Sequence, residues 1–151
     1  MIKRTLLFLI LNFSALAIGS IFTESGVSSD WYQNLSKAPW TPPGWVFGAA
    51  WSTIMFFFAI YMAYLINLKP KKRIIIIYSI QWILNIAWNP IFFYLHEILI
   101  GLICISFLTV LITVLLFKYW KEQKTKTLLL VPYAIWLIIA TSLNAYIFLY
   151  N

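Results

Sequence analysis

Five stretches of roughly twenty residues, near 5–23, 45–68, 74–95, 98–117 and 128–150, are free of Asp, Glu, Lys and Arg. This pattern limits the folds open to the chain more than any other feature. A hydrocarbon core about 30 Å thick is crossed by roughly 20 apolar residues of α-helix at about 1.5 Å per residue. Closed barrels are the other way to satisfy every backbone group in lipid, but their strands alternate apolar and polar residues, and runs such as Ile98 to Phe117 do not alternate. With 63% hydrophobic residues and a mean hydropathy of +0.88, a water-soluble domain would leave more apolar surface than its core could absorb. The expected fold is an all-α membrane protein, a five-transmembrane-helix bundle. It forms a single domain over residues 1–151, with one long loop at 24–44 and short connections elsewhere.

The first stretch also has the outline of a cleaved signal, with Lys3 and Arg4 ahead of an apolar run and Ala15-Leu16-Ala17 near its end. Apolar character continues through Ile18, Ile21 and Phe22, beyond the roughly 7–15 residues of a signal core, so it is read as a helix. The net charge of +7 is explained by sidedness rather than by nucleic acid. Lys3, Arg4, Lys69, Lys71, Lys72, Arg73, Lys118, Lys121, Lys124 and Lys126 all fall on one side of the five spans, and Lys37 alone falls on the other, with Glu24, Asp30 and Glu97. The positive-inside rule then predicts a cytoplasmic N-terminus and an outside C-terminus, with basic loops near anionic membrane lipid and no nucleic-acid partner.

Chemistry based on side-chain acids, bases or metals has little to work with. Cys104 is the single cysteine and lies in an apolar span, and His96 is the single histidine, in a short loop beside Glu97. Neither a metal cluster nor a nucleophile elbow or phosphate loop is expected. A lone loop histidine that ligates haem iron is a weaker reading than a solvated one. No ionisable residue lies near the centre of a span, which disfavours a proton-coupled pump.

The polar groups within the spans are amides: Asn12, Gln81, Asn85, Asn89 and Asn144. Gln81, Asn85, Trp88 and Phe92 recur at helical spacing, as do Tyr133, Trp136, Ala140, Leu143 and Asn144. Trp45, Gly48, Ser52 and Met55 give the second span a Trp-led, small-residue face, and Pro90 should bend the third. Two readings stand. Amides bond across helices, small residues permit close approach, and tryptophans form an interfacial belt. Alternatively these faces converge on a flat, conjugated, lipophilic ligand. Eight tryptophans, five of them (Trp31, Trp40, Trp45, Trp51, Trp136) expected near the long loop, favour the second reading. That loop carries Pro39, Pro42 and Pro43 and should be a structured lid, with Thr41 capping the second helix. Ala15 and Gly19 form a small-xxx-small pair suited to a dimer face or to contacts within the bundle.

The loop residues Trp31-Tyr32, Leu35, Lys37, Pro39-Trp40, Pro42-Pro43, Trp45, Phe47-Gly48 and Trp51 resemble the signature of the TspO/MBR family, the tryptophan-rich sensory or translocator proteins. Gln81, Leu84, Asn85 and Trp88 resemble its third-helix motif, and Pro132-Tyr133, Trp136, Ala140-Thr141 and Leu143-Asn144 its fifth. The resemblance implies a five-helix bundle, commonly a homodimer, with a pocket opening toward the long loop. The pocket would bind tetrapyrroles such as protoporphyrin IX or haem, with no cofactor required beyond the porphyrin itself as ligand or photosensitiser. It implies ligand contacts from Tyr32, Trp40, Trp45, Trp51, Asn85, Trp88, Trp136, Ala140 and Leu143. It further implies that Trp51 and Trp136 support light- and oxygen-dependent porphyrin degradation, the only catalysis envisaged. Ala38 and Ala49 stand where relatives often have proline, and the chain ends Tyr150-Asn151 without the basic residue of the animal sterol motif. Transport of tetrapyrroles or other lipophilic molecules, and ligand-sensing regulation, are the alternative functions.

Overall fold

The computed structural model describes residues 1–68 and 70–151, so Lys69 of the second basic loop lies outside the described residues. Its helices are α1 (Ile2–Val27), the short α2 (Asp30–Asn34), α3 (Gly44–Leu65), α4 (Lys71–Asn89), α5 (Ile98–Lys118), α6 (Trp120–Gln123) and α7 (Val131–Tyr150). A π-helical turn, Pro90–Tyr94, follows α4, and a 3-10 segment, Lys124–Leu130, precedes α7. Among the described residues there is no strand. Five helices are long and apolar enough to cross a membrane, and the chain is an integral multi-pass membrane protein.

Where observed ends differ from the apolar stretches, backbone chemistry explains the difference. At Pro90 the missing N–H breaks the α-helical ladder, and the chain widens so that Leu95 N–H donates to the Pro90 carbonyl at 2.9 Å. Pro132 likewise cannot donate to Leu128. Val131 N–H takes that carbonyl instead, so residues 128–130 belong to the 3-10 segment and α7 begins at Val131. At the other end of the long loop, Thr41 does not cap α3. Its N–H and hydroxyl both turn back to the Ala38 carbonyl, at 2.9 and 2.7 Å, and α3 begins at Gly44 after the extended Pro43.

The spans form a ring in the order α1, α3, α7, α5, α4 and back to α1. The α5–α7 and α1–α3 seams are the most extensive, and the α3–α7 seam is the thinnest of the five. Asn12 locks the α1 side: its Nδ2 donates to the Met55 carbonyl at 3.0 Å, and its Oδ1 accepts from Tyr78 Oη at 2.7 Å, joining α1, α3 and α4. Ala15 and Gly19 face this interior rather than a second copy, both being buried. A Cβ at Gly19 would stand 2.6 Å from Asn89 Nδ2, so glycine there permits α1 to close on α4. On the opposite side, Thr109 and Thr141 hydroxyls meet at 2.8 Å between α5 and α7.

Candidate functional site

The long loop is held down rather than free. Ser29 accepts from Tyr32 N–H and caps α2, with Asp30 in the first turn. α2 lowers Tyr32 onto Phe92 and Phe93 of the π-helical turn, at ring distances of 6.4 and 5.4 Å. Trp31 packs on Phe92 and stacks on His96 at 4.0 Å. His96, at φ 58°, is exposed, as expected of a loop histidine, with one face of its ring against the indole. Further on, Trp40 Nε1 donates to Ser142 Oγ at 3.1 Å and its ring meets Tyr146 edge-on at 5.4 Å. Ser36 and Asn151 exchange two hydrogen bonds, of 2.8 and 3.2 Å, and pin the loop to the end of α7. Lys37 sits over the Tyr32 ring at 4.7 Å and donates to the Gln33 carbonyl. Burial pushes the Tyr32 phenol above its ordinary pKa, so it is a neutral hydrogen-bonding group at any physiological pH.

The residues singled out from the sequence fall into two groups. The first surrounds the π-helical turn. Trp88 stacks on Phe92 at 5.5 Å and donates to Asn144 Oδ1 at 3.4 Å, Asn85 is buried one turn below it, and Tyr32 covers the top. Trp88 is the member that also packs against the main apolar core. The second group lies on the α3–α7 seam. Trp51 meets Tyr133 edge-on at 5.9 Å, and Trp136 meets Phe47 edge-on at 5.4 Å. Ala140 and Leu143 continue the Trp136 face along α7 toward the first group, Leu143 buried and Ala140 partly so. Trp45 stands apart, 75% exposed at the start of α3 and directed out of the bundle.

Phe47 and Tyr133 were not among the residues singled out as ligand contacts, although each lies one helical turn from a tryptophan that was. That spacing was the available signal. Their edge-on rings orient both indoles. Trp136 is 7% exposed, and its Nε1 is buried without a hydrogen-bond partner, as is Gln81 Oε1, whose Nε2 donates to Tyr133 Oη at 2.8 Å. Leaving such a group unpaired costs about 1–3 kcal/mol. Tyr61 Oη and Thr127 Oγ1 are buried without partners as well, so what sets the Trp136 N–H apart is its place on the thin α3–α7 seam.

At this seam a groove of about 460 Å³ runs between the helices, lined by Val46, Ala49, Ala50, Thr53, Ile54, Val131, Pro132, Ile135 and Trp136. Ala49 and Thr53 are exposed and Ile135 is 55% exposed, so the groove opens sideways, away from the bundle axis. Ala49 belongs to its wall. The helix runs unbroken through it from Gly44. No group of three or more His, Cys, Asp or Glu side chains is gathered for a metal among the described residues.

The TspO/MBR family model matches residues 7–150. The tryptophan-rich protein TspO of Archaeoglobus fulgidus is 35% identical over 135 residues, which cover 88% of this chain and 87% of the relative. Protein CrtK of Rhodobacter capsulatus is 31% identical over 132 residues, covering 85% and 80%. The human translocator protein is 32% identical over 136 residues, covering 84% and 78%.

Proposed function

Since this chain belongs to the TspO/MBR family, we propose that it is a receptor for tetrapyrroles, protoporphyrin IX foremost and haem with it, and that it promotes their light- and oxygen-dependent degradation. The observation that carries the reading is the unpartnered N–H of buried Trp136, on a seam that also holds Trp51 and a groove of about 460 Å³. That volume lies within the roughly 300–1,000 Å³ of small-molecule sites, and the lining is apolar with few polar groups, as such sites require. A macrocycle seated there packs against the Trp136 ring, and where the thin α3–α7 seam parts to admit it the buried N–H gains an acceptor and Trp51 comes within reach. Each aromatic contact adds about 0.5–1.5 kcal/mol beyond area burial.

The bound macrocycle supplies the light absorption and the oxygen chemistry. Trp51 and Trp136 hold it and keep electron-rich indoles beside it, oriented by Tyr133 and Phe47. We assign further contacts on the loop side, beyond the lining of the groove itself, to Tyr32, Trp40, Asn85, Trp88, Ala140 and Leu143, with Lys37, partly buried over the Tyr32 ring, as the cation for a propionate. Trp45 serves as an interfacial anchor at the rim rather than as a contact, given its outward direction. We assign the N-terminus to the cytoplasm and the C-terminus to the outside from the basic loops, and a homodimer as the working assembly. With Ala15 and Gly19 turned inward, the dimer face belongs elsewhere on the bundle.

The sideways opening of the groove favours a second reading, movement of lipophilic ligands between the bilayer and the bundle. Liposome efflux that disappears with Trp51→Phe and Trp136→Phe together would support it. The first reading is tested by tryptophan-fluorescence quenching of the purified protein with protoporphyrin IX, in the dark and then under illumination. Saturation near micromolar ligand, about −8 kcal/mol, is expected, with loss of porphyrin absorbance in light that the double variant abolishes. Absence of saturable quenching in the wild type would overturn the tetrapyrrole assignment.

A further inference from the structure

A second depression lies at the opposite end of the molecule from the lid, where α5 hands over to α7. It has a volume of about 370 Å³ and is lined by Trp120, Lys121, Lys124, Thr125 and Leu128. We propose that it is a binding site for one anionic glycerophospholipid, whose phosphate is held by Lys121, Lys124 and Thr125 while its first acyl carbons lie on Trp120 and Leu128.

Three observations support the assignment. The charge is unbalanced, because Lys118, Lys121, Lys124 and Lys126 share this turn with Glu122 alone. Lys118 and Lys126 are engaged with aromatic faces, over Tyr119 at 5.7 Å and over Tyr64 at 4.1 Å, whereas Lys121 and Lys124 line the depression. The site is amphipathic, with Trp120 47% and Leu128 59% exposed between the end of one span at Lys118 and the start of the next at Val131. The lining surface is almost wholly apolar, the lysines contributing their stems, so a water-borne anion would leave it unmatched, whereas a phospholipid lays its acyl carbons there and meets the ammonium groups at the rim. The backbone is also set for this arrangement. Lys124 adopts φ 50° and ψ −127°, a region in which residues other than glycine are strained, and this turn carries the chain from α6 into the 3-10 segment where both Lys121 and Lys124 line the depression.

The experiment is native mass spectrometry of the full-length protein released from detergent with graded phosphatidylglycerol or phosphatidylcholine. Three proteins are compared: wild type, Lys121→Gln with Lys124→Gly, and Lys71→Gln with Lys72→Gln on the other basic loop. Glycine at 124 relieves the positive φ, so folding is not the quantity at risk. One tightly held phosphatidylglycerol is expected on the wild type, weakened roughly 10- to 30-fold in the 121/124 variant and unchanged in the 71/72 variant. Equal weakening in both variants would reduce the effect to diffuse charge and overturn the site. So would equal retention of phosphatidylcholine, or displacement of the lipid by glycerol 3-phosphate at matching concentration, which would make the occupant a soluble phosphate. The site adjoins the Val131 end of the α3–α7 groove but shares no lining residue with it, so protoporphyrin quenching of the 121/124 variant, expected to match wild type, separates this outcome from that of tetrapyrrole binding.

Discussion

The α1–α4 side of the ring, built on amides and glycines, and the α3–α7 seam, built on aromatic and aliphatic side chains, end in opposite states. On the first side Asn12 finds two partners, Thr23 donates to Asn89 Oδ1 at 2.7 Å, and Asn89 Nδ2 donates to the Asn85 carbonyl at 3.0 Å. Two glycines let the helix close to contact distance: a Cβ at Gly19 would meet Asn89, and one at Gly26 would stand 2.4 Å from Phe93 Cβ. On the second side α3 meets α7 thinly and is held mainly by the 3-10 segment that precedes α7, a groove remains, and Trp136 Nε1 stays unpaired. Apolar contact does not by itself drive helix association in lipid, because the tails are as apolar as leucine. A satisfied polar ladder with close backbone approach therefore marks a seam that holds the fold. An orphaned donor beside a gap marks one that has been left for something else.

The largest expected effect comes from breaking the closed side sterically. Gly26→Ala drives a methyl into Phe93 Cβ, which is fixed by the π-helical turn and cannot swing away, so α1 must move. Overpacking of this kind costs about 1–3 kcal/mol, and a depressed unfolding temperature in a thermal scan in detergent is the readout. An unchanged midpoint would mean that α1 is not held against the turn. Next comes the polar ladder. Asn12→Leu removes two hydrogen bonds and strands the Tyr78 hydroxyl, while Tyr78→Phe removes only one. With intramembrane hydrogen bonds averaging about 0.6 kcal/mol and reaching about 1.7, the first should cost about 1–2 kcal/mol and the second less than half of that. Denaturant titrations of both variants check the ratio.

The open seam should respond in the opposite sense. Trp136→Phe keeps a ring edge toward Phe47, and the gain from deleting a donor that has no partner offsets the packing lost with the larger buried ring, so stability should change by less than about 0.5 kcal/mol. Protoporphyrin affinity should nevertheless fall about tenfold, the value of one lost hydrogen bond of roughly 1.4 kcal/mol. A stability loss as large as that of Asn12→Leu would mean that Trp136 belongs to the scaffold, and the contrast between the two sides would disappear.

The spans could be read from the sequence because lipid imposes one rule on every residue, and the buried faces of Gln81, Asn85 and Trp88, and of Tyr133, Trp136 and Asn144, followed from helical spacing. What could not be read was set by contacts between distant segments. Thr41 has the residue type and neighbours of a helix cap, but the Ala38 carbonyl lies closer. Pro90 announces a break in the ladder without saying that the chain widens there into a π-helical turn. Ala15 and Gly19 fit two uses equally until the position of Asn89 is known. The division of the expected contacts into a loop-side group and an α3–α7 group depends on which helices are neighbours, and no periodicity within one helix encodes that. Ser29-Asp30, by contrast, was a readable start for α2 within a stretch expected to be loop.

The smallest expected effect concerns the lid, which joins the two regions. It is tied to α7 by Trp40 Nε1 to Ser142 and by the reciprocal pair of Ser36 and Asn151. Trp40 is 53% exposed, so either tie is partly replaced by water when cut, and Trp40→Phe or Asn151→Ala alone should shift stability by only a few tenths of a kcal/mol. The effect should appear in local opening instead. Amide exchange over residues 35–43 should quicken slightly in each single variant and by more than the sum in the double, because each tie keeps the other's partner close. Protoporphyrin association should rise in step if ligand passes beneath the lid, and stay level if it enters sideways through the α3–α7 groove. The same pair of variants therefore tells which opening the ligand uses.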